Sequence, residues 1–154
     1  MKKFLPLILF FIIFTSAFAS VSLKYSYYSD YPYQEVSLFG PPEINHYMVF
    51  IMHYTNDGQS KKDITDSYTI VAGNRQYEPV TALLLKSEIE KRKNIKDNPF
   101  WIGEIYPGVT KEKIVVFEQL PADVQEFTLH IETGYGSSAY SIEFKKEGEM
   151  WKAK

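Results

Sequence analysis

The chain reads as an all-β protein of antiparallel sheets, and three observations predict this. Segments rich in tyrosine, phenylalanine, valine and isoleucine alternate apolar with polar residues at a period of two, the pattern of a pleated surface with one buried face. Turn signals such as Asn56-Asp57-Gly58, Gly73-Asn74 and Pro107-Gly108 punctuate those segments at short intervals. A single stretch near the middle has helical composition instead. About eight short strands at this spacing favour an immunoglobulin-like β-sandwich over a barrel, with one short helical insert.

Met1 to Ala19 stands apart from the rest. Lys2 and Lys3 precede an apolar run from Leu7 to Phe14, and the segment closes on Ala17-Phe18-Ala19. A basic start, a short apolar middle and a small-residue exit predict a secretory signal peptide cleaved between Ala19 and Ser20, whereas a bilayer span needs ~20 apolar residues. Residues 1–19 are thus expected to be a signal and residues 20–154 one exported domain, periplasmic or secreted, with no membrane insertion after cleavage.

In the mature part, strands are expected at Val21 to Tyr28, Glu35 to Phe39, His46 to Tyr54, Ser67 to Ala72, Trp101 to Ile105 and Lys113 to Glu118. The C-terminal pair is the clearest. Phe127, Leu129 and Ile131 alternate with polar neighbours, as do Tyr140, Ile142 and Phe144, and a Thr133–Ser138 segment with two glycines links them into a hairpin with one wet face. Phe117, between the turn prolines Pro107 and Pro121, is expected to bury its ring against the facing sheet.

The helical stretch is Thr81 to Lys93, where Leu85 and Ile89 fall four apart on one face. Its rival is a strand through Leu85 followed by a shorter helix from Ser87, whose Ser87-x-x-Glu90 spacing is a capping box. A helix here has a purpose. In the strand from His46 to Tyr54, Tyr47, Val49 and Ile51 point one way and Met48, Phe50 and Met52 the other, so both faces are apolar and a sandwich core hides only one. Leu83, Leu84, Leu85 and Ile89 are the nearest cover for the second face, with a partner protein the next.

Composition narrows the function. Loss of the signal removes Lys2 and Lys3 but no acid, leaving a formal charge of −4, the wrong sign for the clustered cations that nucleic acid or an anionic membrane requires. The absence of cysteine removes disulfides, thiolate metal ligands and a thiol nucleophile, so stability must rest on the apolar core.

An apolar strand ending in Asn56-Asp57-Gly58, then Gly73-Asn74-Arg75-Gln76-Tyr77, Tyr106-Pro107-Gly108 and Val115-Val116-Phe117-Glu118 before Pro121 resembles the telokin-like, immunoglobulin-fold domains of exported bacterial proteins. The resemblance spans about Val21 to Glu132 and rests on turn and strand signatures. It implies a non-enzymatic, extracytoplasmic module and brings no catalytic residues. Lys113 stands where that family often carries glycine.

No catalytic, metal or cofactor site is expected. His46 and His53 are an odd number of residues apart on one strand and face opposite sides, and His130 lies on a wet face near Glu143. No nucleophile elbow, zinc-binding helix pair or phosphate loop occurs. Asn56, Asp57, Asp63 and Asp66 lack the spacing of a calcium loop, and Glu104 with Glu112 gives no spacing argument for paired carboxylates.

The strongest candidate contact surface lies between Tyr25 and Tyr33, where five tyrosines fall in nine residues. Tyr25 and Tyr27 share parity with Val21 and Leu23 and belong to the core. Tyr28, Tyr31 and Tyr33 remain as surface rings, with Asp30 and Pro32 marking a loop, so truncating Tyr31 should cost little stability. Lys86, Lys91, Arg92, Lys93 and Lys96 read as a solvated face. The expected function is a binding or adaptor module with a protein partner. A protease inhibitor or chaperone-like domain using the Lys86–Pro99 connection follows, then a small sugar-binding or hydrolytic protein.

Overall fold

A computed structural model describes residues 21–35, 40–94, 102–134 and 139–154. The expected cleavage point, the Glu35–Phe39 strand beyond Glu35, Trp101 and the tip of the C-terminal hairpin lie outside these residues.

Two antiparallel sheets face one another. One is ordered β1 (Val21–Glu35), β2 (Glu43–Asn56), β7 (Thr110–Glu118); the other runs β10 (Met150–Ala153), β9 (Ala139–Glu147), β8 (Glu126–Thr133), β4 (Asp66–Ala72), β5 (Arg75–Tyr77). A small ladder pairs β3 (Lys62–Ile64) with β6 (Gly103–Ile105). The chain crosses between the sheets after β2, after β5 and after β7, the Greek-key route of an immunoglobulin-like sandwich. Strands β3, β5 and β10 add to those expected from the pattern.

The inter-sheet core is aromatic at its centre. Phe144 stacks on Phe127 at 4.7 Å and takes Tyr27 edge-on at 5.2 Å, while Phe50 meets Phe117 edge-to-face at 5.9 Å. Phe117 is buried there, as its setting between two turns requires.

β2 is buried continuously from Tyr47 to Met52 because it is the central strand of its sheet and both faces are covered. Met48, Phe50 and Met52 enter the inter-sheet core. Tyr47, Val49 and Ile51 instead pack with Ile114 and Val116 beneath helix α1 (Leu83–Lys93), which buries Leu85 and Ile89 on them. The helix starts at Leu83 without a side-chain cap, so Ser87-x-x-Glu90 lies inside it and caps nothing. It ends at Asn94 in the left-handed conformation (φ 53°), with Lys91, Arg92 and Lys93 in its last turn against the negative end of the dipole. One expectation is corrected: Leu83 and Leu84 do not help cover the sheet but stand exposed at the start of the helix.

A second correction concerns Tyr31. The segment around Asp30 and Pro32 is strand, with an extra residue between Tyr28, opposite Val49, and Tyr31, opposite Tyr47. This bulge reverses parity. Before it, Leu23, Tyr25 and Tyr27 face the inter-sheet core; after it, Tyr31 and Tyr33 face the helix, and Tyr31 is buried. The bulge is well anchored. Ser29 Oγ accepts the Trp151 N–H at 2.6 Å, Ser29 O accepts from Gln119 at 2.8 Å, and Asp30 meets His46 at 2.7 Å.

Candidate functional site

The three tyrosines proposed as a surface therefore separate. Tyr31 is structural: its hydroxyl donates to Glu88 at 3.1 Å, Glu88 binds Arg92 at 2.6 Å, and Tyr28 lies edge-on to it at 5.4 Å. Tyr28 is half-buried with Lys93 over its ring at 5.2 Å. Tyr33 is half-buried and lines a groove at the other end of the helix.

That groove, about 290 Å³, lies between the end of β1 and the start of α1 and is lined by Tyr33, Glu35, Tyr47 and Thr81 to Leu85. Leu84 is 68% and Leu83 58% exposed, large values for leucine in a chain whose other helix apolars, Leu85 and Ile89, are buried. Helix geometry explains the difference. At about 100° per residue, three consecutive leucines cannot all face one sheet, so docking Leu85 and Ile89 turns Leu83 and Leu84 outward. The Leu83-Leu84-Leu85 run carried this signal in the sequence; the contribution of Glu35 and Tyr47 had no such signal.

At the sheet end of the groove the Tyr47 hydroxyl donates to Glu35 Oε1 at 2.5 Å. This bond, then burial, then the charges of Glu35 and Glu118, push the phenol up to about 12, so Tyr47 keeps its proton and remains a donor at ordinary pH. Glu43 lies opposite Glu35 in the ladder, and Glu118 lies opposite Tyr47.

A second polar constellation sits at the edge of the inter-sheet core. Lys113 Nζ meets Asp66 Oδ1 at 2.5 Å, with the two side chains 14% and 3% exposed, and the Tyr68 and Tyr54 hydroxyls share Asp66 Oδ2. The two hydroxyls lie 2.7 Å apart. Burial drives both phenols well above their ordinary value of 10.0. The cation, the anion and the two donors satisfy one another, and removing one partner of such a buried pair leaves the other uncompensated. Lys113 and Asp66 are distant in sequence, which hid the pairing.

The histidines do not converge. His46 meets Asp30, His53 meets Glu112 at 2.8 Å on the other face of β2, and His130 meets Ser141 at 3.1 Å rather than Glu143, because the β8–β9 register places Ser141 opposite it. Asn56 is consumed by its turn, donating to Ser60 O and Ile105 O and accepting the Gly58 N–H, while Asp66 is turned to Lys113. Among the described residues no three His, Asp or Glu side chains are grouped to hold a metal ion. Glu104 pairs with Lys61 at 2.6 Å and Glu112 with His53, so these two acids are engaged separately. The first part of the Lys86–Pro99 connection is helix to Lys93, and residues 95–101 lie outside the described residues.

Compared with protein-family models, with curated proteins and with solved structures, the chain matches none.

Proposed function

We propose that the chain is an exported, non-enzymatic binding module whose contact surface is the groove between Tyr33 and the start of α1. The observation that carries this is the outward Leu83–Leu84 pair beside a half-buried tyrosine. Apolar side chains held together at the surface beside a concavity are what a partner's side chains desolvate on binding. Export rests on the Lys2-Lys3 start, the Leu7–Phe14 run and the Ala17-Phe18-Ala19 exit. The partner is a protein, in keeping with a groove sized for side chains and a chain of net negative charge.

Two measurements test it. The mass of the chain recovered outside the cytoplasm should correspond to a start at Ser20; a product that retains Met1 refutes export by cleavage. A photo-crosslinking residue at position 84 should yield a discrete adduct in the producing cell, and the same residue at position 143, on the opposite sheet, should not. Equal labelling from both positions refutes the groove as the contact surface.

A further inference from the structure

We infer that the groove takes a basic side chain, arginine before lysine, from an extended polypeptide partner; this rests on the groove being the contact surface proposed above. Its volume of about 290 Å³ lies near the small end of ligand pockets, enough for one or two side chains and too little for a helix. One wall is apolar, formed by Ala82, Leu83 and Leu84, and suits the methylene stem of a long side chain. The far end is anionic. Glu35 lines the groove, Glu43 stands directly opposite it across the β1–β2 ladder, and Glu118 acts on the same Tyr47 hydroxyl that Glu35 binds.

Like charges directly opposite in a strand pair destabilise it, and among the described residues no basic side chain lines the groove to offset Glu35 and Glu43. An incoming cation relieves that repulsion. Among the described residues Tyr47 binds Oε1 of Glu35, and a carboxylate offers about four acceptor sites, so a fork of donors can be received without breaking the existing bond. A guanidinium supplies that fork, stacks on an aromatic face such as Tyr33 and sheds water more readily than an ammonium. Of the basic residues of α1, Lys91, Arg92 and Lys93 lie in its last turn, away from the groove, and Lys86 is half-buried close enough to Lys113 to feel its charge.

The test uses acetylated, amidated pentapeptides of alanine-leucine-X-leucine-alanine, with X arginine, lysine, norleucine or glutamate. Each is titrated into the isotope-labelled folded chain at low salt while side-chain resonances are followed. The arginine peptide should shift Tyr33, Leu84 and Glu35 and bind about ten-fold more tightly than norleucine, with lysine between and glutamate weakest. Salt should narrow the gap because the acids are exposed. Glu35→Gln should cut the arginine advantage to within about two-fold, and Glu143→Gln on the other sheet should leave it intact. If arginine and norleucine peptides shift the groove equally, the preference for a cation is wrong while the groove stands. If the chain instead fills the groove with a second copy of itself in sedimentation, the inference is overturned while the groove stands as a contact surface; if no peptide shifts the groove and no second copy fills it, both are overturned.

Discussion

From Val21 to Tyr28, β1 turns its odd-numbered side chains to the inter-sheet core; from Tyr31 to Glu35, the odd-numbered ones turn to the helix. One extra residue makes the difference. The first half supplies Tyr25 and Tyr27 to an aromatic cluster already filled by Phe50, Phe127 and Phe144. The second half supplies Tyr31 and Tyr33 to a thinner layer, where Leu85 and Ile89 are the helix's buried contribution and the Tyr31 hydroxyl reaches Glu88 near the surface, as that of Tyr47 on β2 reaches Glu35. A single strand thus serves two cores of different chemistry, and its bulge decides which ring goes where.

The largest effect should come from the inter-sheet side, where Phe117→Ala should cost ~3 to 5 kcal/mol, through lost transfer energy and a cavity between the sheets. Tyr31→Ala should cost ~2 to 4 kcal/mol, below Phe117→Ala because the outer layer is thinner and closer to water. A loss under about 0.5 kcal/mol in chemical denaturation would return Tyr31 to the surface.

Alkaline titration separates the two layers without mutation. In the folded state Tyr54 and Tyr68 hold protons that the unfolded chain sheds near pH 10.0. Stability is therefore intact below that pH and falls as pH rises above it, by up to about 1.4 kcal/mol per unit for each group. Tyr47 in the outer layer should ionise first, near 12, and the inner pair only as the chain unfolds, seen as a late rise in tyrosinate absorbance. Inner and outer phenols that titrate together below the unfolding transition would contradict the burial difference. The smallest effect is Tyr31→Phe, which removes only the hydroxyl bond to Glu88 and should cost ~0.5 to 1.5 kcal/mol by thermal or chemical unfolding.

The sandwich was legible wherever an element was long enough to show its period. β8 reads as alternation and buries Phe127, Leu129 and Ile131 on one face, and the two apolar faces of β2 called for the cover that α1 supplies. The three- and four-residue strands β3, β5 and β10 were not legible, because ladders that short leave no period to detect. Parity gave the wrong face for Tyr31 because a bulge of one residue carries no composition signal when its residues, Ser29 and Asp30, also suit a loop. Of the groove, Tyr33 was expected as a surface ring and is half-buried in the lining, and the leucine run was noticed but assigned to the wrong side. The Glu35–Tyr47 contact depends on the β1–β2 register, and the Lys113–Asp66 pair arises only when distant strands come together.

β2 also has a kinetic meaning. From Tyr47 to Met52 it is an uncharged window of aromatic, β-branched and flexible apolar residues, the kind of segment that pairs with copies of itself when left open. Its first neighbour, β1, precedes it directly, but its second is β7, where Phe117 pairs with Met48 across a wide stretch of chain, and such long-range ladders close slowly. α1 lies between the two in sequence. A locally formed helix can shield the outer face of β2 before β7 arrives, so Leu85 and Ile89 act as a guard on the nascent sheet as well as a lid on the finished one. His46 and His53 flank the window, each held by an acid from a neighbouring strand.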